Sequence, residues 1–460
     1  MLRLRKYSDI TLIISSSTLP RFMTSFHLIV LGVGIMIGNG TYVLPGIGAS
    51  QYAGPSLMLS FVIGGLLCAM IAMVYSELAT LLPVNGSIYR FAQLSLGEFA
   101  AWITGWFLIL EFASAIISQV NSWSLSMTHL IQLSGFDIPR ELTIPLASGG
   151  IVDVPGMAIM IIITLILIFG AKNGIRFMII FTSANLIIIL VMIIWLIPSV
   201  NPQNWDPFLP YGWRGMMNGA TIAVFSIIGF DIVINASQET KNPRRDMPIG
   251  VFGSLSIVAL LYIIIISVMT GCASYLALNS DMPWSIVLEH SNFPLSKILP
   301  VCGVIISCAV CAFGCLYSLS RQVLAMAEDG LFPLLPNKSS VQNRFSYRTV
   351  SAIGVILTLI IGFGNSDTFV ELTLGALLCF IIAPILLLIS RRQFPDKARY
   401  YKCPIPVLAT IIIITISGYL LSLLSTLTWM LFGAWFIIGI FIYIFYGYRH
   451  STFNAKSTKG

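Results

Sequence analysis

The sequence predicts an all-α integral membrane protein with twelve transmembrane helices. Three observations carry that expectation. Hydrophobic residues make up 57% of the 460-residue chain and charged residues only 9%, against roughly 25% charged in a soluble domain, so there are too few charges to cover a surface in water. The apolar residues gather into twelve stretches close to the ~20 residues that cross a hydrocarbon core. They lie at 26–48, 57–81, 100–130, 155–171, 178–198, 217–235, 249–272, 300–320, 349–364, 368–390, 404–424 and 428–447. Finally, if the N-terminus is cytoplasmic, only Arg140, Arg214 and Lys297 of the 25 basic residues fall outside. That asymmetry is what the positive-inside rule requires of an even number of spans, and it places both termini in the cytoplasm.

The elements follow in order. A cytoplasmic tail, 1–25, carries Arg3, Arg5, Lys6 and Arg21 and lacks the apolar stretch of a cleavable signal peptide. Span 1 is glycine-rich, with Gly32, Gly34, Gly38 and Gly40 within nine residues. Span 3 holds a carboxylate, Glu111, and spans 4 and 5 are parted by Lys172 and Arg176. Span 6 is interrupted at Ser226-Ile-Ile-Gly-Phe-Asp231, and span 8 carries Cys308, Cys311 and Cys315. Residues 26–390 form a ten-helix core of two halves, 26–198 and 217–390; two further helices (404–447) and a cytoplasmic tail (448–460) complete the chain. A five-span unit is odd in number, so its second copy is inverted in the bilayer.

Interruptions in matching places, in spans 1 and 6, are the sequence pointer to a secondary transporter. Each glycine inside a helix costs about 1 kcal/mol relative to alanine, and in lipid the freed backbone groups need partners. Half-helix N-termini suit a carboxylate and bare carbonyls suit an ammonium, so an amino acid would satisfy both. The other reading is that these glycines only allow close helix packing.

Other classes are disfavoured. The net charge of +7 is spread along the chain with no basic domain, which argues against nucleic acid. The eight cysteines sit mostly in apolar runs, as small hydrophobes. Cys308-Ala-Val-Cys311 has metal-like spacing, but no second pair or histidine cluster completes a site, so neither metal nor cofactor is expected. His27, His129, His290 and His450 lie at span ends or in loops. No His-Glu-x-x-His or phosphate-loop motif suggests an enzyme, and the repeated filter elements of a channel are missing. A non-transporting sensor on the same fold stays open.

The motifs resemble the amino acid–polyamine–organocation superfamily, and within it the cationic amino acid transporter group. They run collinearly from the glycine-rich Gly32–Gly38 through Ala53-Gly-Pro-Ser56, Tyr75-Ser-Glu-Leu78, Pro83–Tyr89, Leu96-Gly-Glu98, Gly105–Glu111, Gly229-Phe-Asp231 and Glu239–Pro248 to Asp329-Gly-Leu-Phe-Pro333. The resemblance implies a LeuT-type 5+5 inverted repeat and amino acid transport by alternating access, with substrate between spans 1, 3, 6 and 8. It implies that the substrate carboxylate meets backbone near Met36, Gly38, Asn39 and Gly40, and the ammonium meets carbonyls near Phe225, Ser226 and Ile228. Phe230 becomes the aromatic gate, and Cys308 lies on the substrate-facing part of span 8. One departure is Asn185, which stands in span 5 where proton-coupled relatives carry a lysine. Exchange, uniport and coupling through another group are therefore open alongside proton symport.

Among single residues, Glu111 is a coupling candidate or a structural hydrogen-bonding group, and Asp231 a coupling candidate or a cap for the second half of span 6. Glu239, Arg244 and Arg245 form a charged loop that either gates the inside or is merely solvated; Glu77 and Arg90 are possible additions to it. Glu371, near Asp367, is expected to be interfacial. The expected partners are an amino acid, a coupling proton or exchanged amino acid, and the lipid bilayer of the cell membrane. The protein is expected to be a monomer or homodimer. Neutral and cationic amino acids both fit; polyamines fit less well because they lack the carboxylate.

Overall fold

The computed structural model describes residues 21–82, 86–332, 342–364, 375–422 and 424–451. Helices account for nearly all of the regular structure, with no strand named among the described residues. In chain order they are α1 (Ser25–Met36), α2 (Gly40–Gly48), α3 (Leu57–Leu81), α4 (Ser87–Ser95), α5 (Glu98–Leu133), α6 (Val154–Ile168), α7 (Ala171–Leu196) and α8 (Gly212–Ile227). A 3₁₀ helix, Phe230–Glu239, follows. Then come α9 (Pro243–Cys272), α10 (Pro283–His290), α11 (Ile298–Glu328), α12 (Gln342–Phe363), α13 (Gly375–Gln393), α14 (Pro406–Ser422) and α15 (Thr426–Ile442).

Among the described residues, seven helical stretches are long and apolar enough to cross a membrane: Gly40–Leu81, Glu98–Leu133, Lys172–Ser199, Gly212–Glu239, Pro243–Cys272, Ile298–Glu328 and Thr426–His450. Shorter apolar helices include Ser25–Met36, Val154–Ile168, Tyr347–Phe363 and Pro406–Ser422. Large apolar side chains such as Leu66, Ile194 and Leu260 are exposed on the outer faces, as a lipid solvent allows.

Local chemistry sets the ends. Pro243 opens α9 at a position where its missing N–H is harmless, with Asp246 in the first turn. Asp153 caps α6 by accepting from the Gly156 N–H at 2.9 Å and from the Ser124 hydroxyl at 2.5 Å. Span 5 starts earlier than its apolar run, at Ala171 rather than 178, because about two turns bearing Lys172 and Arg176 extend the helix beyond the apolar segment.

At the centre, α11 packs along α5, α9 packs on α1 and α3, and α3 packs on α8. Small residues permit these approaches. A Cβ on Gly105 would come within 2.7 Å of the Met326 sulfur, and one on Gly64 within 2.6 Å of Ala223. The same holds in span 1: a Cβ on Gly32 would strike Ser254, and one on Gly34 would strike Thr182 and Val310. Those two glycines serve packing inside an intact helix.

Candidate substrate site at two facing helix breaks

The first break covers Ile37 to Asn39. Ile37 leaves helical geometry at φ −91° and ψ 75°, and α2 starts anew at Gly40. The second break is at Ile228 (ψ 140°) and Gly229 (φ +127°), a backbone region that L side chains rarely adopt. The two breaks face each other: a Cβ on Gly229 would stand 2.9 Å from Ile35 and 3.5 Å from Met36. Tertiary contacts hold the first break open. The Asn39 N–H donates to Gln119 Oε1 at 3.2 Å, and its side-chain amide donates to the Ser122 hydroxyl at 2.5 Å. Gln119 and Ser122, on α5, were not signalled by the sequence, because their partner is 80 residues away or more. One expected carboxylate-binding amide, that of Asn39, is thus engaged by Gln119.

The expected residues divide around these breaks. Met36, Gly38, Ser226, Phe230 and Cys308 are buried, whereas Asn39, Gly40, Phe225 and Ile228 are half-buried. The Ser226 hydroxyl donates to the Ile222 carbonyl at 2.8 Å. Cys308 lies against the Asn39 backbone. Phe230 stacks on Phe380 (6.1 Å, 14°), and the ring of Tyr75 meets both edge-on. Asn185 is buried and accepts from the Tyr42 hydroxyl at 2.5 Å, tying α7 to α2.

Beyond Phe230 the interior stays polar. Asp231 lies against the backbone N–H groups of Gly229, Asp231 and Ile232, as expected of a residue at the start of a helix. Its Oδ1 still has no hydrogen-bond partner among the described residues, nor has Glu111 Oε2 or the Tyr75 hydroxyl. Glu111 and Asp231 lie within electrostatic reach of each other, and Tyr75, Cys315 and Cys379 share their field. Ser114, Ser318 and Gln322 add more unpartnered buried polar groups along the α5–α11 contact. Unmet buried polar groups are rare in folded proteins and call for an explanation.

One end of this column is closed by buried ion pairs. Arg321 reaches Glu239 with Nε at 2.8 Å and Nη2 at 2.7 Å. Arg90 donates to Asp329 at 2.5 Å and to Glu328 at 3.2 Å. Glu77 accepts from Arg391 at 2.6 Å and from the Cys403 N–H at 2.7 Å, and Arg399 lies 3.1 Å away as a second ion-pair partner. The chain before α1 is strapped over the same place, with Phe22 and Met23 N–H groups bonded to the Glu239 carbonyl. This changes the expected charge cluster. Glu239 pairs with Arg321, not with its sequence neighbours: Arg244 is exposed, lies over the Tyr400 ring and donates to its hydroxyl, and Arg245 is exposed. The helical start of α9 carries both arginines outward, while Glu239 ends the preceding 3₁₀ helix facing α11. Glu77 and Arg90 form separate pairs. Glu371 and Asp367 lie outside the described residues.

Known proteins share this sequence along nearly its whole length. The family profile "Amino acid permease" matches residues 23–452. The methylthioribose transporter of Bacillus subtilis (strain 168) is 33% identical over 443 residues, covering 95% of this chain and 96% of the relative. The branched-chain amino acid permease BcaP of the same organism is 33% identical over 463 residues, covering 98% of each. The vacuolar cationic amino acid transporter 4 of Arabidopsis thaliana is 32% identical over 388 residues, 82% of this chain and 64% of that protein. With its apolar helices and a profile match spanning the facing breaks, this chain belongs to the amino acid permease family of the amino acid–polyamine–organocation superfamily, a family of multi-pass membrane transporters.

Proposed function

We propose that the protein is a secondary active carrier of amino acids in the cell membrane. In this reading it has twelve spans in a LeuT-type 5+5 inverted repeat plus two, with both termini in the cytoplasm. The observation that carries the proposal is the pair of facing breaks, Ile37–Asn39 and Ile228–Gly229, with unmatched buried polar groups beside them. Backbone N–H groups around the start of α2 suit the substrate carboxylate once it displaces their present partners, Gln119 for Asn39 and the Gly38 carbonyl for Thr41, and carbonyls at the end of α8 suit the ammonium. Asn39 and Gly40 are half-buried while Glu77, Arg90, Glu239 and Arg321 close the other end. This asymmetry supports a state shut towards the cytoplasm, one of the two that alternating access needs. Opening would then break the ion pairs and admit water along Glu111, Ser114, Ser318 and Gln322.

Glu111 and Asp231 are buried in the interior, and among the described residues no basic side chain pairs with either. That favours either a cationic side chain on the substrate or a proton as coupling ion. Flux into liposomes separates these readings. Purified protein is to be assayed with labelled arginine, leucine, alanine, putrescine and methylthioribose, with and without internal amino acid and with and without an inward proton gradient. Amino acid uptake is the expected result. Uptake only against internal amino acid would assign exchange, and uptake into empty vesicles along the proton gradient would assign symport. Failure to carry any amino acid, with the protein folded, would overturn the proposal and leave a sensor role.

Asn185 bears on coupling. A lysine there would put a titrating ammonium beside the Tyr42 hydroxyl, in place of a neutral acceptor. Asn185→Lys is expected to alter the pH dependence of uptake. Identical pH–rate profiles for the two proteins would exclude this position from the coupling path.

A further inference from the structure

Helices α6 and α12 run antiparallel. The Asp153 N–H donates to the Gly362 carbonyl at 3.3 Å, a Cβ on Gly362 would stand 2.5 Å from the Met157 sulfur, and one on Gly354 would stand 2.3 Å from Thr164. Beside this crossing lies a groove of about 300 Å³, with Thr164, Ile168, Gly354, Val355 and Thr358 among its walls. It presents hydrocarbon, because both threonine hydroxyls are bonded back to their own helices, Thr164 to Met160 and Thr358 to Gly354, at 2.7 Å. Val355 stands largely exposed there.

The end of the groove carries charge. The antiparallel register brings Arg348, one turn before the groove-lining Ser351, level with the connection that follows Ile168 and leads to Lys172 and Arg176. All three are exposed, and among the described residues none takes part in an ion pair. Helix α6 has 15 residues, roughly 22 Å at 1.5 Å per residue, against about 30 Å of hydrocarbon. So short a helix draws the headgroup layer inward at its end and leaves the three cations at the boundary between acyl chains and headgroups. All three also belong to the segments that the charge count expects on the cytoplasmic side, where anionic lipids concentrate and where basic pockets between helices bind their headgroups.

We propose that this groove is a binding site for an anionic diacyl phospholipid, with an acyl chain between α6 and α12 and the phosphate held by Lys172, Arg176 and Arg348. A second copy of the chain fits less well, because a two-fold contact sets the same patch against itself and would bring these cations together.

The test is native mass spectrometry of the full chain with phosphatidylglycerol and phosphatidylcholine of identical acyl chains. One phosphatidylglycerol should be retained per protein in preference to phosphatidylcholine. The triple variant Lys172→Gln, Arg176→Gln, Arg348→Gln should lower that preference by about 10- to 100-fold, since each basic residue near an anionic surface contributes on the order of a few-fold in affinity. Val355→Trp should block retention with the charges untouched. Equal retention of the two lipids by the native protein would overturn the proposal. So would retention indifferent to both kinds of variant. A lipid-free dimer lost in Val355→Trp would assign the groove to a second copy instead. The readout is lipid retention, so it stands apart from any failure of the transport assay.

Discussion

Gly38→Val is expected to cut amino acid uptake severely, in a protein that still folds and inserts. A Cβ at position 38 would stand 2.9 Å from the Gln119 side-chain nitrogen and 3.1 Å from its oxygen, and valine adds two methyl groups beyond that. Gln119 is the residue that accepts the Asn39 N–H, so displacing it releases the first break from α5. The volume added also falls where a substrate carboxylate would lie. Overpacking of this kind typically costs about 1–3 kcal/mol, and directed against the bound state that is roughly 10- to 100-fold in kcat/KM. Gly38→Ala should show a smaller loss, because the Gln119 side chain can turn aside from one carbon. The measurements are labelled-substrate uptake in liposomes and thermal unfolding of the purified variants. Native uptake and affinity in Gly38→Val would show that the first break does not bind substrate. A collapse in Tm alongside lost uptake would move the effect from the site to the fold.

The glycines of span 1 show how much could be read from the sequence. Their density announced an irregular helix, but density could not separate packing from unwinding. Both readings turn out to apply, at different positions: Gly32 and Gly34 lie inside α1 against Ser254, Thr182 and Val310, while the backbone departs from the helix only around Gly38. The difference rests on what α9, α7 and α11 place opposite each glycine, which is tertiary information. The second break was clearer in the sequence, because Gly229 stands beside Asp231 inside an apolar run, and in the structure Gly229 adopts a positive φ. Asn39 with Gln119 and Ser122, and Glu239 with Arg321, were hidden for the same reason. Hydropathy and helix signals act over a few turns, whereas these partners are separated by 80 residues or more. Arg244 and Arg245, close to Glu239 in sequence, are exposed, while its partner Arg321 lies 82 residues on.

Arg321→Ala should destabilise the closed end of the protein more than any surface charge removal. Glu239 and Arg321 are both buried, with side-chain exposures of 1% and 5%. Two bonds from Arg321 converge on Glu239 Oε1, and the guanidinium also lies 4.9 Å from the centre of the Tyr317 ring. Removing one partner of a buried pair leaves the other charge without compensation, at a cost of about 3–5 kcal/mol. The strain would fall where Phe22 and Met23 bond to the Glu239 carbonyl, so the strap ahead of α1 should loosen with it. The expected results are a lowered Tm and faster amide hydrogen exchange in peptides covering 22–24 and 237–241, with slower net uptake if this pair closes one side of the proposed carrier. The double variant Glu239→Gln, Arg321→Met removes both charges at once and should recover much of the stability, since neutral, well-packed replacements of buried pairs are often tolerated. If the double variant is as unstable as Arg321→Ala, packing against Tyr317 is what matters rather than charge. If exchange at the strap is unchanged in Arg321→Ala, the pair does not hold that end shut. A gate must be strong enough to close and weak enough to break, and a single pair buried beside Tyr317 can do both only if substrate or coupling ion supplies the difference. In the proposed carrier, that demand would point to Asp231, eight residues earlier at the start of the same 3₁₀ helix, whose Oδ1 has no hydrogen-bond partner among the described residues.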